Sequence, residues 1–489
     1  MRIEAMHIIR AVFLFIVFTV TPFIPQVFIA QAEAAAPPAF AKFISISDIH
    51  FDPFIGCDEL PHPCPIINAL CTADTPAWDN IFEKYRSVMT TRYHQDSDYL
   101  LLKSTLAELK TLNKQEKPAF VLLLGDYLAH HFPEKYKEYS GDESLAGYHA
   151  FVKKVMLYLS DQLNQISDVK NFYPVIGNND SYDSNYNSVP HSQFLFDTAH
   201  SFEKLIKNKQ QQKLFFDGFS SNGYYSFLLN PHSRLIVLNS VFFSERNSDT
   251  RAQPAAESEL RWLKSELEQS QQQHQRVFIA LHIPMGVDVF KSLKECFRFV
   301  RAICHPLLWR EEYNQQFLAL LQQYAPVIAG ILPGHIHADA FQILYTSKID
   351  YFIPVSYTPA ISPIHGNNPG LKVFKFNPKT FDLIDFDTYF YPINQTPHAK
   401  WQKEYNFNST YQADCKACSL ISGMLRLTKD NDLADFYKKY YSVGRDAQPI
   451  THQNAWMPHY WCAVHNVTWV EYQNCLTMTS RGVHAEKAA

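Results

Sequence analysis

Short apolar runs recur along the chain, and each ends in turn-forming or polar residues. They occupy residues 42–47, 119–124, 172–176, 234–238, 276–281 and 326–332. Runs of this length, bounded by Gly, Asn, Asp or Pro, predict buried strands. Between them the apolar period changes. Residues 256–269 set Leu260, Leu263 and Leu267 on one face at helical spacing, and residues 100–112 do the same. Strands alternating with helices predict an α/β class. The polar run 270–275 reads as a solvated helix end. After about residue 385 the texture shifts to Tyr, Trp and Asn, then to the stretch 433–441 and the last two cysteines. That predicts a smaller, partly helical, disulfide-tied C-terminal segment over 386–489.

The amino terminus reads differently. Arg2 and Arg10 precede and flank an apolar stretch at 11–18, and Ala30-Gln31-Ala32 has the form of a cleavage site. Residues 1–32 are expected to be a secretory signal peptide and 33–40 a short linker. The alternative is an uncleaved membrane anchor, which Pro22, Pro25 and Gln26 argue against. No later segment reaches the roughly 20 apolar residues of a spanning helix. The expected location is extracytoplasmic: periplasm, extracellular space or a lysosome-like lumen.

Cysteine placement fits an oxidising compartment. The nine cysteines fall in local clusters, with Cys296–Cys304 and Cys462–Cys475 the favoured pairs. Cys415 and Cys418 have C-x-x-C spacing but no second such pair for zinc. Sequons occur at Asn394, Asn408 and Asn466. A formal net charge of -4 denies the chain the basic field of a general nucleic-acid binder. No nucleic-acid partner is expected, and a monomer is.

The chemistry lies where the strands stop. Asp48 and His50 follow the first run, Asp126 the second and Asn178 the third. His282 follows the fifth, and His335 and His337 the sixth. Ligands of open α/β sheets bind at the carboxyl ends of strands. One such histidine is more often a core or surface residue; the same behaviour at five strand ends is not chance. Carboxylate, imidazole and amide oxygen together suit Zn, Mn or Fe. Seven donors exceed one tetrahedral ion and suffice for two if a carboxylate bridges. Two such ions can activate a hydroxide and clamp a phosphoryl group.

In order and in full, Asp48-x-His50, Gly125-Asp126, Gly177-Asn178, His282 and Gly334-His335-x-His337 resemble the motifs of the calcineurin-like metallophosphoesterases. Gly125-Asp126-x-x-x-His130, with Tyr460-Trp461-Cys462 through Tyr472-Gln473-x-Cys475, resembles the acid sphingomyelinase-like phosphodiesterase branch. The resemblance implies a β-sandwich flanked by helices, in four layers α-β-β-α, with the catalytic domain over 41–385. It implies a first metal on Asp48, His50 and His337, a second on Asn178, His282 and His335, and Asp126 bridging. The ions would be zinc, with Mn or Fe as alternatives. His130 would protonate the leaving oxygen; the adjacent His131 leaves a slip of one residue open.

One position departs from the family pattern. Where its members carry Gly-Asn-His, this chain has Asn179, which can donate a hydrogen bond to a phosphate but cannot transfer a proton. Asp180 is expected either to orient a neighbour or to cap a turn. Tyr182, Tyr186 and His191 lie in a polar loop after the third run, which reads as a solvated loop, with contact to substrate as the alternative. His62, His94, His191, His274, His305 and His365 lack strand-end placement and read mostly as surface residues.

The implied activity is hydrolysis of phosphodiesters by metal-activated hydroxide. About ten residues separate the cleavage site from the first motif, too few for a saposin domain. That tilts the expected substrate toward nucleotides and small phosphodiesters over a phospholipid. Sphingomyelin cleavage with peripheral membrane contact, and an endopolyphosphatase-like role, remain alternatives. In another class stands an inactive exported binding protein. Asn179 supports it, and the intact set of costly buried polar groups opposes it.

Overall fold

The computed structural model describes residues 40–166, 171–183, 185–293, 306–346, 351–412, 419–427, 439–444 and 457–486. Among the described residues twelve strands form two mixed sheets. They are β1 (Ala41–Ile46), β2 (Val121–Leu123), β3 (Phe172–Pro174), β4 (Tyr225–Asn230), β5 (Ser233–Val237), β6 (Arg276–Leu281), β7 (Ile328–Pro333), β8 (Phe341–Thr346), β9 (Tyr351–Ser356), β10 (Gly370–Phe376), β11 (Leu383–Phe390) and β12 (Gln402–Asn406). The first sheet runs β12-β11-β10-β1-β2-β3 and the second β4-β5-β6-β7-β9-β8.

The expected runs correspond to β1, β2, β3, β5, β6 and β7, whose mutual pairings are all parallel. Parallel strands are covered on both faces, so they read as continuous apolar stretches. The remaining strands pair antiparallel along the flanks of the two sheets, apart from β9, which also lies parallel to β7. Several carry charges that hid them from a search for apolar runs. Lys375 of β10 lies 2.8 Å from Asp385 of β11, and Lys403 of β12 lies 3.2 Å from Asp387.

The sheets pack through an aromatic seam. Phe43 of β1 stacks between Phe120 and Phe374 at 4.9 and 4.8 Å and meets Phe278 of β6 at 5.6 Å. Helices Tyr99–Glu116, Leu145–Asn164, Ala252–Gln272 and Glu311–Tyr324 flank the sheets. The first is capped by Asp98, which accepts from the Leu101 N–H at 2.7 Å. The third buries Leu260, Leu263 and Leu267, the face its spacing predicts.

The expected boundary at residue 385 falls inside β11, which pairs with β10 on one side and β12 on the other. The first sheet is therefore completed by residues on both sides of it. Cys462–Cys475 forms as expected and joins helices Met457–His465 and Trp469–Glu486. A second bridge, Cys57–Cys64, was not anticipated. The expected pair Cys296–Cys304, the Cys415/Cys418 motif, the signal segment and most of 433–441 lie outside the described residues. Among the described residues no helix is long and apolar enough to cross a membrane.

Candidate metal centre

Asp48, His50, Asp126 and Asn178 leave the carboxyl ends of β1, β2 and β3. His282, His335 and His337 leave those of β6 and β7. The two sheets thus contribute opposite walls of one site. Sharp local turns bring the side chains inward. Asp48, His50, Asp126, His335 and His337 all have positive φ, between 41° and 74°. Asp and His tolerate this region better than most residues, and such strain persists where surrounding structure enforces it. The turns are laced together: the Asp48 N–H donates to Gly125 O at 3.0 Å, and the His50 N–H to Asp126 O at 2.9 Å. Gly177 is required by close approach, since a Cβ there would lie 2.1 Å from the Asp126 nitrogen.

Two groups of donors result: Asp48 with His50 and His337, and Asp126 with His282 and His335. Asn178 joins the second, its Oδ1 lying 3.1 Å from His282 Nε2. Asp126 Oδ2 stands between the groups, 3.4 Å from His50 Nε2 and 3.3 Å from His282 Nε2. His50 Nδ1 donates to Leu128 O at 2.9 Å and His282 Nδ1 to Leu124 O at 2.6 Å. A carbonyl accepts only from N–H, so each ring is held with Nε2 inward and available for a ligand bond.

The contents fit a cation. His50 Nε2 faces His337 Nε2 at 3.3 Å, and His337 Nε2 faces Asp48 Oδ1 at 3.3 Å. Asp48 Oδ1 is buried without a hydrogen-bond partner. Lone pairs converging in a buried space are costly unless a positive ion sits among them. The mixture of imidazole, carboxylate and amide oxygen is a borderline-ion donor set.

Electrostatics separate the members. Burial would raise the Asp48 carboxyl, but His337 and His282 hold it well below the ordinary range. Burial likewise opposes ionisation of Asp126, and His282 and His50 overcome it. Burial and the neighbouring His130 push His50 down to about 4; burial and His282 push His335 down to about 3. Against its burial, His282 is raised to about 9 by Asp126 and Asp48.

His130 lies beside the cluster, its ring stacked 4.2 Å from His50. Its Nδ1 meets Asp96 Oδ1 at 3.0 Å, and Asp96 also accepts from the His130 N–H at 2.8 Å and from Ser362 Oγ at 3.1 Å. Lys135 Nζ lies 3.6 Å from the same carboxylate. His50, Asp96 and His130 also cluster closely enough to hold an ion. Here, however, His50 Nδ1 is spent on Leu128 O, and Asp96 already has two N–H donors, a hydroxyl and an ammonium. This trio needs no cation. His131 is exposed.

Asn179 lies against Asp126 rather than on the cleft wall. Its N–H reaches Asp126 Oδ1 at 2.7 Å and its Nδ2 reaches Oδ2 at 2.8 Å. Asp180 fulfils both expectations: its oxygens accept from the N–H groups of Asp126, Tyr127, Leu128 and Gly177 at 2.8–3.2 Å. It caps two turns and so fixes the backbone of Asp126.

A cavity of about 490 Å³ opens over the cluster, lined by Asp126, His130, Asn178, His335 and His337. Tyr186 and Arg246 also line it, which corrects the expectation of a solvated loop: Tyr182 and Tyr186 are buried. His365 is exposed and lines this cleft, 4.5 Å from the His337 ring and 6.0 Å from His130, so it is no ordinary surface residue. His62, His94, His191 and His274 are exposed elsewhere; His305 lies outside the described residues. Sequence reasoning missed Asp96, because it follows none of the apolar runs. It also missed Arg246, which no strand end marks.

Residues 41–339 match the family model for calcineurin-like phosphoesterase, and residues 350–482 that for the acid sphingomyelin phosphodiesterase C-terminal region. The chain is 24% identical over 454 residues to the acid sphingomyelinase-like phosphodiesterase 3b of Mus musculus, covering 89% of this chain and 90% of that one. It is 24% identical over 451 residues to the cyclic GMP-AMP phosphodiesterase SMPDL3A of Homo sapiens, covering 90% and 91%. With the sphingomyelinase phosphodiesterase D of Dictyostelium discoideum it shares 26% over 368 residues, covering 72% and 75%. A match that starts at β1 and ends just past His337 takes in every residue of the cluster. The chain therefore belongs to the calcineurin-like phosphoesterase family, in its acid sphingomyelinase-like branch, and is a metal-dependent phosphoric diester hydrolase.

Proposed function

We propose that this protein is an extracytoplasmic phosphodiesterase with a dinuclear zinc centre, acting on nucleotides or small phosphodiesters. The observation that carries the reading is Asp126 Oδ2, nearly equidistant from the two histidine sets. Asp48, His50 and His337 would hold one ion, Asn178, His282 and His335 the other, and Asp126 both. Mn or Fe would satisfy the same donors. Bound there, two ions supply a nucleophile of lowered pKa and neutralise phosphoryl oxygens.

The chain's own groups do the rest. Asp96 fixes His130 with Nδ1 outward from the cleft and, against burial, raises the imidazole above its ordinary value. The Nε2 proton is then available to a leaving oxygen. Asn179 locks the Asp126 carboxylate, and Lys135 offsets the charge of Asp96. The bridges Cys57–Cys64 and Cys462–Cys475 support an oxidising compartment. A cleft of about 490 Å³ suits a nucleotide-sized ligand, and the named activity of the human relative is in keeping with that class.

The test is product identification by phosphorus NMR. Zinc-loaded protein is incubated with ATP, CDP-choline or sphingomyelin micelles. Cleavage of the two nucleotides is expected. Phosphocholine from sphingomyelin, with both nucleotides intact, would replace this reading with a lipid-directed one.

A further inference from the structure

We propose that the Tyr186 hydroxyl is a further catalytic group, donating its proton in a hydrogen bond to a phosphoryl oxygen of the substrate. The proposal rests on the dinuclear phosphodiesterase reading above and adds a residue that strand-end logic cannot reach.

The argument begins with how Tyr186 is held. It follows β3 in the loop that carries Asn178, and its N–H donates to Asn178 O at 2.7 Å. The residue before it, Asn185, accepts from Asn178 Nδ2 at 2.7 Å. That contact turns the Asn178 amide so that its oxygen faces His282. The same two residues therefore tie the loop to the second donor group twice. Tyr186 is 8% exposed, and what it exposes lines the cleft beside Asp126 and His335.

The hydroxyl has two neighbours. His335 Nε2 lies 3.4 Å away, and the Arg246 guanidinium donates from 3.3 Å. The guanidinium also lies over the Tyr186 ring, 5.1 Å from its centre, and is steadied by Asp288 at 3.4 Å. Both hydroxyl contacts are long, as contacts in unliganded active sites commonly are.

Proton counting then decides the direction of each bond. With the hydroxyl on its Nε2 side, His335 presents Nδ1 to the cluster. A ligand nitrogen must be unprotonated, so Nε2 carries the hydrogen. The Tyr186 oxygen accepts that hydrogen, and it accepts another from Arg246, which has no acceptor atoms. Both oxygen lone pairs are then used. The remaining O–H must point to a third group, and the open direction is the cleft. Asn179 cannot substitute, because it is engaged with Asp126 and is not on the cleft wall. Donors fixed before the reaction and aimed at developing negative charge are among the larger contributors to catalysis.

The test uses zinc-loaded full-length protein and Tyr186→Phe, with inorganic phosphate as the probe. Metal stoichiometry is read by elemental analysis and phosphate affinity by calorimetry. The variant is expected to keep the wild-type metal content and to bind phosphate about tenfold or more weakly. Its kcat on a poor-leaving-group diester should fall by about 10²–10³-fold, with a much smaller change in KM. Retained phosphate affinity and kcat overturn the proposal. So does a loss of metal with unchanged phosphate affinity per loaded molecule, which makes Tyr186 only a support for His335. Should the wild type itself take up no metal or no phosphate, the dinuclear reading fails instead, and the two failures are told apart. Arg246→Gln keeps the proposal exposed if Tyr186→Phe misfolds. It frees one lone pair on the phenol oxygen and should weaken phosphate binding without loss of metal; unchanged binding counts against the clamp.

Discussion

Removing the Lys372 charge should destabilise the protein more than any surface change, because Lys372 is half of a fully buried ion pair. Its Nζ lies 2.6 Å from Asp339 Oδ1, and neither side chain is more than 3% exposed. Asp339 Oδ2 accepts from Thr388 Oγ1 at 2.7 Å and Tyr405 OH at 2.9 Å. The pair joins the segment just past His337 to β10, β11 and β12 of the opposite sheet. Lys372→Met keeps the apolar stem against Phe386, 4.0 Å from the ammonium, and strands the Asp339 charge in the core. Breaking one side of a buried pair costs about 3–5 kcal/mol, whereas neutralising both sides is far cheaper. Asp339→Asn alone strands Lys372 in the same way. The double variant should therefore be more stable than the sum of the singles allows, by about 2 kcal/mol or more. Urea denaturation of the four proteins measures this. Additive losses, with a coupling below about 0.5 kcal/mol, would refute the reasoning. Asp339→Asn should also weaken metal retention, because Asp339 anchors the turn that carries His335 and His337.

The proposed proton donor, His130, gives a pH signature. Asp96 holds His130 above its ordinary value, so the protonated imidazole also stabilises the fold at low pH, a contribution lost as pH rises through the folded value. Asp96→Asn should move the alkaline limb of the rate on poor leaving groups to lower pH; an unmoved limb would release Asp96 from this role. His282, raised to about 9, is protonated at neutral pH before an ion binds. Zinc uptake at pH 7 should therefore release about one proton from this residue, read by calorimetry in buffers of different ionisation enthalpy; no release would contradict the assignment. Replacing Cys462 and Cys475 by Ser opens a bridge with a separation of 13 residues and should cost about 3 kcal/mol of stability. An unchanged thermal midpoint would show that the bridge does not restrain the unfolded chain.

The strand-end donors were legible because their signal is one-dimensional. A buried parallel strand is a continuous apolar run, so the polar residue that ends it stands out within the same few positions. Asp96, Tyr186 and Lys372 send no such signal. Asp96 meets His130 across 34 residues, and Tyr186 meets His335 across 149. Lys372, one of two lysines in β10, looks like a surface charge until Asp339 and Ser356 are placed beside it. Their roles come from partners that only the closed sandwich supplies. The same limit explains the boundary drawn at residue 385: composition changes there, but β11 pairs with β10 on both sides of that position, across a local shift in register.

The stacked pair of His50 and His130 shows how the fold assigns different work to two like groups. Their rings are 4.2 Å apart, close enough that two positive charges would repel. Burial and the neighbouring His130 push His50 to about 4, and its Nδ1 donates to a neutral backbone carbonyl, Leu128 O. His130 is buried less completely and has the Asp96 carboxylate on the equivalent nitrogen, which raises it. Burial beside His130 thus disfavours the charged form of His50, which suits the ligand role proposed for it, and the Asp96 carboxylate favours the charged form of His130, which suits the donor role proposed for it. Paired groups driven apart in this way mark acid and base roles. Asp96 is consequently as much a part of the working site as the strand-end residues, although its own side chain is almost wholly buried.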